Sequence, residues 1–178
     1  LIRCPEGIIG AFGVGPPAFY LDCRDTWIGW DSPTRQANLH QVIGLSRFLI
    51  RPGIRVPNLA SRCYGLLLQR VAQDWQERYG FKPVLIETFV DHTLQTGISL
   101  AASNWRRLGQ SSGRGRSSPS ARVHLSSVKD VWVYELHPKA RQRLLDKPEP
   151  LVAPRSIFQG QESVPWSKEE FDGLDLGD

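Results

Sequence analysis

The sequence contains no methionine and only three cysteines among its 178 residues. Three scattered cysteines are too few for a disulfide framework, and none has the paired spacing of a zinc knuckle. The chain also lacks an apolar run of the roughly 20 residues that cross a bilayer, and it opens with no signal peptide. These absences argue against a disulfide-stabilised secreted domain and against a membrane protein. They favour a reducing, cytoplasmic setting.

The missing methionine also bears on the start of the chain. Leu1–Cys4 already reads as a strand, and a second apolar strand, Ile8–Val14, follows after Pro5-Glu6-Gly7. A complete reading frame begins with methionine, so we expect an N-terminal piece to be missing. The two strands and their turn residues predict a β-hairpin.

Composition is that of one soluble domain, with 40% hydrophobic and 22% charged residues. No two of the four histidines have ligand spacing with a nearby carboxylate or cysteine, so we predict no metal site. The net charge of +4 is compatible with a nucleic-acid partner without requiring one.

After the predicted hairpin, the first half of the chain contains one short extended segment and two helical segments. Ala18–Cys23 is predicted to be extended, and Ser32-Pro33 is predicted to begin a helix that runs to about Phe48. Leu59–Tyr79 has apolar residues at three- and four-residue spacing, which predicts a long helix, and Gly80 is its expected stop.

The second half of the chain is read mainly as strands. Val84–Val90, Trp105–Gly109 and Val128–Leu136 are predicted strands, with a short helix at Gly97–Ser103. Alternating strands and helices predict an α/β domain with a mixed central sheet flanked by helices. We place this domain at residues 1–137. Residues 138–178 are rich in proline and end in acidic residues, which predicts a tail after a short helix near its start.

One carboxylate lies inside an apolar strand. Glu87 is surrounded by Val84–Ile86 and Thr88–Val90, and burial there raises the pKa of a carboxyl and suits a general base. The alternative is a structural ion pair, for example with Arg55, Arg62 or Arg106. The sequence leaves both roles open.

A basic segment follows the short helix. Guanidinium groups grip phosphate with two hydrogen bonds, glycines permit close approach, and an aromatic ring can stack on a base. The alternative is a solvated loop with a core tryptophan. The candidate nucleic-acid residues are Trp105, Arg106, Arg107, Arg114 and Arg116.

Several strings of residues resemble the Druantia anti-phage DruA family, whose members also occur beside or fused to transposases. The matching strings are Ala11–Gly13, Trp27–Trp30, Ser46–Ile50, Arg55–Ser61, Leu85–Asp91, Asn104-Trp105 and Gly113–Arg116. The element order is also similar to the fold of the Gcn5-related N-acetyltransferases without their first strand and helix. Ile98–Leu100 departs from the resemblance, because a more polar run is expected there.

The resemblance implies where a site could lie. Arg55–Ala60 is similar to the pyrophosphate loop of the acyltransferases, which implies acetyl-CoA or another acyl-CoA near Asn58, Leu59, Ala60, Ser61 and Arg62. Asn58 replaces a glycine of that loop and Pro57 removes an amide donor, so an ordinary capped helix is the alternative. Within the Asn104-Trp105 pair, Asn104 joins Glu87 as a candidate catalytic residue.

The leading hypothesis is an anti-phage defence protein that acts on or near DNA through an acyltransferase-like domain. Its partners would be DNA and other subunits of the defence system. One alternative is an acyl-CoA-dependent transferase with Glu87 as its base. Another is a non-catalytic accessory domain of a mobile element.

Overall fold

The computed structural model describes residues 1–112 and 128–146. The strands are β1 (Ile2–Cys4), β2 (Gly7–Gly15), β3 (Val42–Ile50), β4 (Leu85–Val90), β5 (Arg106–Gln110) and β6 (Asp130–Glu135). The helices are α1 (Asp22–Ile28), α2 (Ser32–Asn38), α3 (Leu59–Tyr79), α4 (Ile98–Ala101) and α5 (Ala140–Leu145), and a 3-10 turn covers Leu39–Gln41. This mixture confirms the predicted α/β class.

The strands form a single mixed sheet in the order β1-β2-β3-β4-β6-β5. Neighbouring strands are antiparallel except for β3 and β4, which run parallel. Parallel neighbours need a crossover connection, and α3 lies in the segment that joins this pair. The predicted mixed sheet flanked by helices is therefore confirmed.

Both faces of the sheet are covered. Val42 and Leu85 pack on one face with residues of α1 and α5, whereas Ile43 and Ile86 pack on the other face with residues of α3 and α4. Neighbouring residues of a strand point to opposite faces, so a strand covered on both sides is apolar without alternation. We refer to these two faces as the α1 face and the α3 face.

The predicted helix from Ser32 to Phe48 is wrong in its second half. The helix ends at Asn38, and Val42–Ile50 is the strand β3. Asp31 is the N-cap, and its side chain accepts a hydrogen bond of 2.8 Å from the amide of Thr34. The apolar residues that suggested a helical stripe instead fill both faces of a central strand.

The predicted extended segment Ala18–Cys23 is also wrong at its end. The helix α1 begins at Asp22, and its last turn closes at Gly29, which has a left-handed φ of 86°. The correction matters because α1 carries Arg24, whose side chain is fully buried against the sheet.

Other elements agree with the sequence. The hairpin of β1 and β2 turns where predicted, and α3 spans Leu59–Tyr79 with Gly80 beyond its end at a φ of 82°. The short helix predicted near the start of residues 138–178 is present as α5, and its residues Ala140 and Leu144 are buried in the core. In the described ranges no helix has the length and apolarity required to cross a membrane.

Asn38 connects the end of α2 to the end of α5. Its buried side-chain amide donates hydrogen bonds of 3.0 Å to the carbonyl of Leu144 and 2.9 Å to that of Asp146. Its oxygen accepts a bond of 3.0 Å from the side chain of Gln41. Asn38 therefore satisfies backbone carbonyls that the end of a helix leaves without a partner.

Replacing Asn38 with alanine should destabilise the domain. The change leaves two carbonyls and one side-chain amide unsatisfied, at a cost of about 1–3 kcal/mol in the free energy of unfolding. Gln36→Ala, on an exposed position of the same helix, is the control and should change stability by less than about 0.5 kcal/mol. Urea unfolding of both variants measures the difference, and equal midpoints would contradict the role of Asn38.

Candidate functional site

The two central parallel strands separate along their length. Residues 42–45 of β3 pair with residues 85–88 of β4, whereas β3 continues to Ile50 and β4 to Val90. No pairing joins the two strands beyond Leu45 and Thr88. The ends of the pair therefore form a fork in the middle of the sheet.

Two local features produce the fork. The register between β2 and β3 shifts at Ser46, so this residue forms a β-bulge immediately after Leu45, and bulges bend the strand that contains them. On the other strand, the hydroxyl of Thr88 donates a hydrogen bond of 2.8 Å to the carbonyl of Leu45. The side chain of Thr88 is thus bonded to the backbone carbonyl of Leu45 at the last paired position, and the two strands separate beyond it.

A cleft of about 630 Å³ lies at the fork. Its walls are the ends of β3 and β4, the first turns of α3 and residues 92–100. Leu49, Leu94 and Ile98 are exposed on these walls, at 60%, 80% and 70% of their surface. An apolar cleft with a few polar groups is the usual form of a small-molecule site. We call it the fork cleft.

One wall of the fork cleft depends on a glycine. Gly97 has a left-handed φ of 72°, and a Cβ there would lie 2.7 Å from the ring of Trp132. Only glycine both adopts this left-handed conformation without strain and leaves room for the Trp132 ring. The preceding turn is closed by Asp91, whose carboxylate accepts hydrogen bonds from the amide and the hydroxyl of Thr93 at 3.0 and 2.6 Å.

The N-terminus of α3 lies at the fork cleft. Asn58 precedes the helix with a left-handed φ of 58°, and its side chain makes no capping hydrogen bond. The amide of Leu59 donates to Val56 and that of Arg62 to Asn58. Within the described residues no backbone carbonyl accepts from the amides of Ala60 and Ser61. Free amides in the first turn of a helix are a favourable place for an anion.

The predicted cofactor residues Asn58–Arg62 are only partly brought to the cleft. Ala60 lines it, and the other four residues are not among its lining residues. Arg55 and Arg62 are exposed near the same helix end. The start of the helix is thus in the predicted place, although β3 ends at Ile50 and no strand directly precedes the helix. Ala60 is the residue of this set that reaches the cavity.

Sequence reasoning missed Tyr64. It lines the fork cleft from α3 and packs against the rings of Phe12 and Phe48 at 5.8 and 4.7 Å between centroids. Burial, with the charge of Cys63 next, raises the pKa of Tyr64 to about 12, so its hydroxyl stays protonated at neutral pH. Its position one turn after Ala60, on the apolar side of α3, was the available signal.

Glu87 lies on the α1 face of the sheet rather than in the fork cleft. Its side chain is fully buried, and one oxygen accepts a bond of 2.9 Å from the guanidinium of Arg24. The other oxygen accepts a bond of 2.7 Å from the amide of Ala18, whose carbonyl in turn accepts 2.7 Å from Arg24. The partner is therefore Arg24, and the suggested partners Arg55, Arg62 and Arg106 are wrong.

Asp25 extends this buried ion pair into a network. Its carboxylate lies 2.8 Å from Arg24 and 3.3 Å from Arg35, and it accepts a bond of 3.0 Å from the indole of Trp30. Arg35 also packs over the exposed ring of Tyr20 at 4.1 Å. The network fixes α1 and α2 to the sheet through charged groups.

Two effects oppose each other at the Glu87 carboxyl. Burial raises the pKa of Glu87, and the charge of Arg24 and the Ala18 amide counteract that rise. A general base must reach its substrate, whereas Glu87 is covered by Ala18 and Arg24. The contacts favour the structural ion pair over the catalytic role.

The remaining predicted residues occupy different places. Asn104 is an exposed turn residue with a left-handed φ of 62°. Trp105 is only 4% exposed and packs near Tyr64 and Tyr134. The prediction that Trp105 stacks on a base is therefore corrected, because its ring is used in the core.

The basic residues lie beyond Trp105 on the edge of the sheet. Arg106 and Arg107 are exposed on β5, and Arg107 forms an ion pair of 2.7 Å with Asp130. Arg114 and Arg116 lie outside the described residues. Within the ranges that the structure describes, no group of histidine, cysteine and acidic side chains could hold a metal ion.

The chain is similar to a known protein family over most of its length. The family model described as Druantia protein DruA matches residues 1–144, which include every described element up to the last turn of α5. No curated protein matches this chain.

Glu87→Gln should destabilise the protein strongly if the ion pair is structural. The change removes the carboxylate charge and leaves the buried Arg24 with Asp25 alone, at a cost of about 3 kcal/mol in the free energy of unfolding. Arg24→Met combined with Glu87→Leu should recover part of this loss, because neither charge is then buried. Urea unfolding measures all three proteins, and a loss below about 1 kcal/mol for Glu87→Gln would revive the catalytic role.

Proposed function

This chain belongs to the Druantia DruA family. From that membership we propose that it serves in anti-phage defence, and from the geometry of the fork cleft we propose that it binds an acyl-CoA there. The proposal includes a cytoplasmic setting and other subunits of the defence system as partners. The observation that carries it is the fork between β3 and β4, with its cleft at the N-terminus of α3.

The fork supports binding of an extended amide chain. Past Leu45 and Thr88, the facing edges of β3 and β4 have no strand between them. The pantetheine arm of CoA contains amide groups, and an extended chain that enters such a gap can bond to free strand edges as an added strand does. The exposed apolar residues Leu49, Leu94 and Ile98 provide contacts for the methylene groups of the arm and of an acyl chain.

The end of α3 supports binding of the pyrophosphate. The free amides of Ala60 and Ser61 and the positive end of the helix dipole favour an anion there. Arg55 and Arg62 are exposed at the same end and add two positive charges. Pro57 removes only an amide that precedes the helix, and it leaves these donors in place.

The geometry favours cofactor binding over transfer catalysed by Glu87. The carboxylate is on the α1 face, whereas Ala60 and Tyr64 open to the cleft on the α3 face. The polar side chains that line the cleft include those of Tyr64, His92 and Ser99. A transferase reaction in this cleft would use groups of that set.

Blocking the fork cleft should weaken the binding of acetyl-CoA. Ala60→Phe places a ring in the cleft and should weaken binding at least tenfold, which is about 1.4 kcal/mol. Ala101→Phe is the control, because Ala101 is exposed on α4 and does not line the cleft. Isothermal titration with acetyl-CoA measures both variants, and thermal melts with ligand test the parent. The proposal fails if the parent does not bind, or if both variants bind as the parent does.

DNA contact is a second proposal, supported by the exposed Arg106 on the outer strand β5, whereas the neighbouring Arg107 is already paired with Asp130. These residues lead toward Arg114 and Arg116 in the sequence. The edge of the sheet would then face the phosphate backbone, and contact would be independent of sequence.

Removal of two arginines should reduce the salt dependence of DNA binding. If Arg114 and Arg116 each neutralise one phosphate, replacing both with alanine should flatten the slope of log K against log salt by about two units. Titrations with single- and double-stranded DNA measure the slope, and an acetyl-CoA titration of the same variant serves as the control. An unchanged slope on both DNAs would remove these two residues from the DNA proposal.

A further inference from the structure

A second cavity lies away from the fork cleft. It is a groove of about 750 Å³ between the hairpin of β1 and β2 and the helix α3. Phe12, Val14, Leu67 and Val71 contribute its apolar lining. Leu66, also on its wall, is 61% exposed. We call this cavity the hairpin groove, and the proposed cofactor site does not use it.

The rim of the hairpin groove is positively charged. Arg3, Arg70 and Arg78 line it, and Asp74 is the one acidic residue among its lining residues. Asp74 is already paired with Arg70 at 2.7 Å. The charges of Arg3 and Arg78 are therefore available to an acidic occupant.

The groove also contains an unsatisfied donor. Trp75 lines it, and its indole N–H is buried without an acceptor in the described part of the chain. A buried donor without a partner is costly and is normally satisfied by some acceptor. A carbonyl or carboxylate of an occupant would supply one. The occupant is thus expected to combine apolar side chains, negative charge and hydrogen-bond acceptors.

We propose that the hairpin groove binds the acidic C-terminal segment of this same chain, residues 169–178. This segment contains five acidic residues and no lysine or arginine, and between the acidic residues stand Phe171, Leu174 and Leu176. Its charge complements the rim, and its apolar residues match the lining. No other ten-residue stretch of the sequence contains as many acidic residues without a basic one.

The length of the chain permits this contact. The described residues end at 146, just beyond α5, and 22 residues separate that point from Glu169. At about 3.3 Å per residue they span up to about 70 Å. A domain of this size has a radius of gyration of about 14 Å, so the segment can reach the opposite side of the sheet.

Zero-length cross-linking in the full chain tests the proposal. Arg78→Lys keeps the charge of the rim and provides an amine that a carbodiimide can join to a nearby carboxylate. Gln76→Lys is the matched control, because Gln76 is exposed on the same helix outside the groove. Peptide mapping should find several-fold more linkage to residues 169–178 in the Arg78→Lys protein than in the control, within monomers. The linkage should fall near 1 M salt, where the Debye length is about 3 Å.

A second variant separates docking from general attraction between charges. Replacing Phe171, Leu174 and Leu176 with alanine leaves all five carboxylates in place. In the Arg78→Lys protein this replacement should reduce the linkage toward the level of the Gln76→Lys control. Unchanged linkage would overturn docking in the groove. Equal linkage from the two introduced amines, or none, would also overturn the proposal. Linkage found only in covalent dimers would assign the groove to a second copy and overturn binding within the chain.

Discussion

The parallel pairing of β3 with β4 is the constraint on which the rest of the structure depends. Only four residue pairs join the two strands, from Val42–Leu85 to Leu45–Thr88. Parallel strands require a long connection across one face, and this places α3 beside the fork with its N-terminus at the open end. The sheet continues with antiparallel strands on both sides, so the fork lies in its interior. The short pairing therefore determines both the cleft and the helix end that faces it.

The sequence predicted the elements whose signal is local. The long helix α3 has a clear apolar period and a terminal glycine, and β6 combines β-branched and aromatic residues within a short run. The strand β3 was read as helix because Val42 and Ile43 are both buried, on opposite faces. A strand covered on both sides loses the alternation that identifies it. Its surroundings, rather than its own residues, decide its conformation.

The candidate site, like the fold, was predictable only where its residues give a local signal. Glu87 stood out because a carboxylate inside an apolar strand needs a partner, but Arg24 could not be identified while α1 was read as extended. The predicted helix start at Asn58–Arg62 does lie beside the cleft, since the residues that begin a helix are a local signal. The bulge at Ser46 and the bond from Thr88 to Leu45 depend on strand pairing between distant segments. No local pattern reports such a bond.

The position of β6 has a consequence for the growing polypeptide. Among the strands that the structure describes it is the last in sequence, yet it lies between β4 and β5. A chain emerging from the ribosome can assemble β1 to β4 before residues 130–135 exist, and β4 then presents an unpaired edge along its whole length. Contacts between distant segments form slowly, and an open apolar edge invites pairing with other chains. Insertion of β6 is thus the step that closes the sheet, and the interval before it is when the nascent protein is most exposed to aggregation.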